Sequence, residues 1–193
     1  MTVYEREIWK NKDLRPMLNC RPNWYYDYPN VLPFICRDEM VKKYSFAILT
    51  ESMIRKIRHL QPFLEVGCGN GYWAYELRKR QIEIVATDPK IKFKWDHDWI
   101  KPDLMRACRA LKFYIYKNYT LLICWPTLND EWAYHALKEF KGKRMVYVGE
   151  GESGCCAEEK FFNELEKRWY LEKQITIPQW PGIHDVMWIL KRK

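Results

Sequence analysis

The densest run of chemistry in the chain is Glu65-Val66-Gly67-Cys68-Gly69-Asn70-Gly71. Glycines at alternate positions let the backbone turn sharply and come close to a bound molecule, because no Cβ stands in the way. A dinucleotide fingerprint requires a third glycine three positions after the second, and that position is Tyr72. Glu65, two residues ahead of the first glycine, would repel a pyrophosphate but attracts a cationic amino-acid moiety, such as the methionine end of S-adenosylmethionine. Charge and spacing together favour a methyl donor over a dinucleotide.

Such a loop works only where a strand ends and a helix begins. Pro62 to Val66 is a short strand signal, and Trp73, Ala74 and Leu77 mark one helix face, so the glycines join a strand end to a helix N-terminus. Ile82 to Thr87 is β-branched enough for a second strand. It runs into Asp88, a carboxylate placed to accept hydrogen bonds from both hydroxyls of a ribose. Two alternatives stay open: Asp88 before Pro89 can simply shape a turn, and Tyr72 and Trp73 can pack on the sheet as readily as touch a ligand.

On these residues the chain resembles class I, Rossmann-like S-adenosylmethionine-dependent methyltransferases. An acid followed by Gly-x-Gly-x-Gly matches Glu65 to Gly71, the second acid matches Asp88, and the resemblance covers roughly residues 44 to 190. The strings Gly71-Tyr72-Trp73-Ala74, Cys124-Trp125-Pro126, Val148-Gly149-Glu150 and Trp180-Pro181-Gly182-Ile183-His184-Asp185 look similar to a poorly characterised branch of that superfamily. The resemblance implies an α/β three-layer sandwich whose mostly parallel, seven-stranded sheet has an antiparallel last strand. It also implies S-adenosyl-L-methionine as cofactor, held by Glu65, Gly67, Gly69, Gly71, Tyr72, Trp73, Asp88 and Trp125.

No catalytic residue is assigned. Ile123 to Thr127 falls where this class places substrate-facing residues, yet it departs from the motif of amino-methylating enzymes: Cys124 and Trp125 replace the polar residue, and Thr127 replaces the second proline. Glu150, Tyr44, Ser45 and the His184-Asp185 pair are further polar candidates without a compelling spacing. A sulfonium is already activated, so holding donor and acceptor in line supplies much of the acceleration without a catalytic acid. The expected function is methyl transfer to a nucleic acid, a nucleotide or a small molecule. The alternative is a catalytically inactive binding or regulatory subunit that kept the fold and uses a basic surface for nucleic acid; a nicotinamide-dependent oxidoreductase is opposed by Tyr72.

The whole chain frames these expectations. Its 193 residues suit one domain burying roughly 70% of its unfolded surface. A net charge of +8, with clusters at Arg55 to Arg58, Arg78 to Arg80 and Lys191 to Lys193, favours polyanions, RNA or DNA among them. Without a long apolar run or a signal-peptide core, a cytoplasmic protein with no membrane partner is expected. Seven cysteines at no zinc-finger spacing are expected to be reduced thiols, with no metal. Residues 1–40 are expected to form an irregular arm packed on the core, with Arg21 to Asn30 rich in proline and aromatics, and residues 41–193 the methyltransferase-like domain.

Within that domain Thr50 should cap a helix carrying Met53, Ile54, Ile57 and Leu60. A helix is expected over Pro102 to Leu111, a short strand near Phe113 to Tyr116, buried strands at Thr120 to Trp125 and Met145 to Val148, and a helix from Ala133 that Gly142 ends. The glycine-rich stretch 149–154 should lead into a helix with Phe161, Phe162, Leu165 and Trp169 inward. The last strands, Leu171 to Ile177 and Asp185 to Leu190, are joined by too short a link for a crossover, so they must pair antiparallel.

Overall fold

A computed structural model of the chain describes residues 1–19, 32–89, 93–113 and 118–193. Strands β1 (Phe63–Val66), β2 (Ile84–Thr87), β3 (Thr120–Cys124) and β4 (Arg144–Gly149) run parallel. Strand β6 (Val186–Arg192) lies antiparallel to both β4 and the edge strand β5 (Trp169–Thr176), giving the order β2-β1-β3-β4-β6-β5. The antiparallel last strand expected from the short link is present.

The sheet has six strands among the described residues where seven were expected. Beyond β2, pairing among the described residues is reduced to a single bridge between Thr87 and Asp103. Pro102 has no N–H to give to a ladder, which confines pairing there to one residue. The segment expected to be helical from Pro102 is therefore extended at first, and α5 begins only at Ala107 and ends at Phe113. Phe113 was expected to open a strand; the rest of that segment, 114–116, lies outside the described residues.

Alternation along the strands sorts the core into two layers. Phe63, Leu122, Val146 and Val148 face α3 (Glu51–Ile57) and α4 (Tyr72–Arg78). Leu64, Val66, Leu121, Ile123, Met145 and Tyr147 face α5, α6 (Trp132–Glu139) and α7 (Glu159–Arg168). The sheet is thus the middle of three layers. Parallel strands covered on both faces read as continuous apolar runs, and Glu65 is the one acid inside β1. Thr50 caps α3 as expected, its hydroxyl accepting from Met53 N. Helix α6 stops at Glu139 with Phe140 extended. Gly142, expected to end this helix, lies beyond its last turn; it makes room for the Phe140 ring, which lies 2.3 Å from where a Cβ would stand.

The described part of the first forty residues holds two helices. These are α1 (Val3–Lys10) and most of α2 (Leu32–Lys43), while Arg21 to Asn30 lies outside the described residues. Thr2 and Glu5 form a capping box at α1, a local signal that the aromatic-rich stretch downstream overshadows. Tyr4 and Ile8 are fully buried against the α3 and α4 layer. Tyr4 N donates to the Tyr72 hydroxyl at 2.8 Å, and Val3 N donates to Glu76 Oε1 at 2.6 Å. Arg80 holds Glu76 from the next turn and reaches Glu51 Oε2 at 2.6 Å. Removing the charge of the fully buried Glu76 weakens its contacts with Val3 N, the Tyr72 hydroxyl and Arg80. Glu76→Gln is expected to cost roughly 2 kcal/mol, the scale of a hydrogen bond to a charged group, a fall of about 4–8 °C in Tm for a domain of this length, read by thermal denaturation.

None of the helices among the described residues is long and apolar enough to cross a membrane. The six described cysteines are all free thiols, and Cys20 lies outside the described residues.

Candidate functional site

Because β1, β2 and β3 end side by side, the loops that follow them open one crevice at the carboxyl edge of the sheet, the place where open α/β sheets bind ligands. A cavity of about 640 Å³ lies there. Glu65 enters its wall from β1, Gly67 and Gly69 from the loop after it, Asp88 from the end of β2, and Cys124, Trp125 and Thr127 from the end of β3. Its volume falls within the roughly 300–1,000 Å³ of small-molecule sites.

Gly67, Gly69 and Gly71 have φ of 72°, 59° and 76°. Gly67 N and Cys68 N donate to Thr87 O at 2.9 and 3.1 Å, and Gly69 N donates to Asp88 Oδ2 at 2.9 Å. Asp88, singled out as a ribose ligand, therefore also fastens the glycine loop. The sequence explains the glycines by close approach of a ligand; in the structure two indole rings come closest. A Cβ on Gly69 would stand 2.4 Å from Trp95 Cζ2, and one on Gly67 2.8 Å from Trp132 Cη2. Gly71 lies outside the cavity wall and opens α4 as its left-handed N-cap. Tyr72 and Trp73 reach the wall but are almost wholly buried, and the Tyr72 hydroxyl is spent on α1 and Glu76.

Glu65 is 1% exposed, and its Oε2 has no hydrogen-bond partner among the described residues. Burial, and then the charge of Asp88, push its pKa up to about 8 against the opposing pull of Arg78 and the Ala74 amide. A cationic group beside it would supply the missing donor and draw the carboxyl back toward its ionised form. Asp88, Asp130, Glu131 and Glu139 also line the cavity, against Arg106 and His135. A chain of net charge +8 thus encloses an acid-rich cavity, which selects cations over pyrophosphates.

At the β3 end, Trp125 is a non-glycine residue with φ of 51°. Its backbone N donates to Val148 O at 2.8 Å and its Nε1 donates to Asp185 Oδ1 at 2.8 Å. Asp185 is fully buried, and burial holds its carboxyl well above the usual range. The separate strings around Trp125 and Asp185 therefore meet in one place. Burial, followed by the charges of Glu65 and Asp185, pushes the Cys124 thiol up, so it stays protonated rather than serving as a thiolate.

The remaining candidates have other partners. Glu150 accepts from Cys155 N at 2.7 Å and from His184 N at 2.8 Å and does not line the cavity. Tyr44 is stacked between Tyr4 and Trp99. Ser45 reaches the cavity but donates its hydroxyl to Ala47 O at 2.7 Å. Sequence reasoning missed Trp95, Trp132 and the Asp130-Glu131 pair. Asp130 to Trp132 directly precede or open the helix after β3, so topological position is the signal that finds them; Trp95 sits in an aperiodic stretch and had none.

No family model matches the chain, and no curated protein matches it. Among solved structures it is similar to a protein in the NADB-Rossmann superfamily from Streptococcus agalactiae, with 12% identity, a TM-score of 0.50, and coverage of 76% of this chain and 70% of that one. It is also similar to a protein solved in work on the conversion of a disulfide bond into a thioacetal group during echinomycin biosynthesis, with 11% identity, a TM-score of 0.49, and coverage of 74% and 80%. A third neighbour is the Pyrococcus abyssi tRNA (uracil-54, C5)-methyltransferase in complex with S-adenosyl-L-homocysteine, with 15% identity, a TM-score of 0.40, and coverage of 72% and 37%. The first of these likenesses shows a Rossmann-like fold.

Proposed function

We propose that the cavity binds S-adenosyl-L-methionine and that the protein is a methyltransferase. The observation that carries this reading is Glu65: a buried carboxyl in the wall of an acid-rich cavity, one oxygen of which has no partner among the described residues. The donor's ammonium group answers that oxygen, and its positive charge suits the surrounding acids. Gly67 and Gly69, roofed by Trp132 and Trp95, would bound the nucleoside, with Asp88 toward the ribose.

The bound sulfonium supplies an activated methyl group. What the chain contributes is orientation and exclusion of water by the aromatic wall, since methyl transfer gains most from an in-line arrangement. Cys124 remains a neutral thiol beside that wall, and no described group in the cavity is singled out as a base.

Calorimetric titration with S-adenosylhomocysteine tests the reading, with micromolar affinity expected. Asp88→Ala is expected to weaken binding by about 10–100-fold, the value of a hydrogen bond to a charged group. Asp88→Asn keeps an acceptor for the Gly69 amide and separates loop fastening from ligand contact: equal loss in both variants points to the ligand, and a loss confined to Ala points to the loop. No heat with the homocysteine compound, together with salt-dependent affinity for RNA, would instead favour a fold-retaining binding subunit. The tryptophan rings already packed on Gly67 and Gly69 are the feature that favours that second reading.

A further inference from the structure

We infer that the corner of the sheet where β4, β6 and β5 meet, at the amino edge of β4, is a docking surface for a single-stranded nucleic acid. Its phosphates meet Arg144, Lys191 and Lys173, and one of its bases stacks on Tyr170. The inference does not rest on the methyl-donor reading, because this corner stands at the opposite end of the sheet from the cavity.

Arg144 opens β4 and pairs with Lys191 of β6, which pairs in turn with Tyr170 of β5. Residues directly opposite on antiparallel strands share a face, with Cβ atoms roughly 5 Å apart. Lys173, paired with Ile189 two residues before Lys191, lies on that same face. All four side chains are exposed, so the row faces solvent. The cavity opens at the other end of the parallel strands, and the six residues of β4 put roughly 20 Å between the two.

Like charges directly opposite one another destabilise a sheet. Arg144 against Lys191 is such a pair. Among the described residues neither of them, nor Lys173, is held in an ion pair, and Glu164 on α7 is taken by Arg168 at 2.6 Å. Glu172, the one acid of β5, falls at its register shift and is paired with no residue of β6. Arg192, on the other face, shows how a cation serves the fold: its Nε donates to Gly142 O at 2.9 Å and its guanidinium covers the Trp169 ring at 4.5 Å. The exposed row has no contact of that kind among the described residues. A polyanion turns its repulsion into attraction.

Tyr170 identifies the class of polyanion. Its ring is 60% exposed and stacks on no other ring among the described residues, while Lys193 Nζ lies 5.3 Å from its centre. Cations that follow a backbone, with an exposed aromatic ring among them, are the means by which proteins hold single strands. A duplex keeps its bases paired and stacked, out of reach of such a ring.

The test is fluorescence anisotropy of the full chain with a labelled oligouridine over a series of salt concentrations. Affinity should fall with salt, by about 0.7 in the log-log slope for each phosphate neutralised. Arg144→Gln with Lys191→Gln should weaken binding about tenfold or more at low salt and flatten the slope by about 1.4. The Tm of that variant should equal or exceed the parent's, because the repulsion is gone. Lys94→Gln with Lys101→Gln removes two exposed cations from the segment whose Trp95 and Ile100 cover the glycine loop, and should bind like the parent. Tyr170→Ser should lose about tenfold with the slope unchanged.

Equal losses in the two double variants would reduce the attraction to net charge and overturn the surface. So would absence of binding at low salt, a lower Tm for the Arg144 and Lys191 variant, or a Tyr170→Ser variant that binds like the parent. Tighter binding to phosphatidylserine vesicles or to an RNA duplex than to oligouridine would overturn the choice of partner. Oligouridine should bind with or without saturating S-adenosylhomocysteine, so failure of this surface and failure of the donor reading are seen separately.

Discussion

Gly69→Val is expected to abolish S-adenosylhomocysteine binding, a loss of more than 100-fold by calorimetry, and to lower Tm by several degrees. Two costs combine at this position. A φ of 59° is left-handed backbone, worth on the order of 1–2 kcal/mol against a residue with a Cβ. The new side chain also starts 2.4 Å from Trp95 Cζ2, so the indole must move, and the space open to it is the cavity. A companion pair separates the two costs. Trp95→Ala alone leaves the loop unstrained, and Gly69→Ala in that background should recover the part of the stability lost to the clash but not the part lost to φ. If Gly69→Val binds the ligand like the parent, the cavity beside the glycine loop is not the donor site.

Glu65→Gln is expected to raise stability above neutral pH and to weaken the homocysteine compound by about tenfold or more. The sign follows from burial: the folded-state pKa of Glu65 is about 8 against an ordinary value of 4.5. Between those values the folded chain retains a proton that the unfolded chain has released, so stability falls as pH rises through this window and levels off above about pH 8. At about 1.4 kcal/mol per tenfold change in an ionisation constant, the penalty reaches several kcal/mol, and glutamine removes it. Urea denaturation of both proteins between about pH 5 and 9 should give curves that diverge steadily toward the alkaline end. Parallel curves would show that Glu65 titrates normally. Binding runs the opposite way: an ammonium prefers the carboxylate, so parental affinity should climb toward pH 8 while the variant's stays flat.

The two variants draw on different kinds of information. The glycine spacing, the acid two residues before it and the acid closing β2 are local, and they are enough to place a strand-loop-helix and a facing carboxylate. The strand pattern was legible for the same reason: apolar runs buried on both faces, and a link between β5 and β6 of nine residues, too short for a crossover helix, so that the two strands pair antiparallel. Legibility failed where local signals conflict or are missing. Pro102 lies in a stretch whose composition suits a helix but whose backbone meets the edge of β2 at Asp103, and a capping box, rather than hydrophobic spacing, marks α1.

That a glycine loop flanked by Glu65 and Asp88 stands at the end of a parallel strand is readable from the residues alone, because backbone freedom and charge at fixed spacing are properties of a few adjacent residues. What closes over that loop depends on how distant segments fold together. Trp95, Trp125 and Trp132 arrive from three separate segments, and Asp185 reaches Trp125 from 60 residues away. Burial is likewise a property of the assembled fold: nothing adjacent to Glu65 in the chain announces that its carboxyl is buried, with one oxygen unanswered among the described residues.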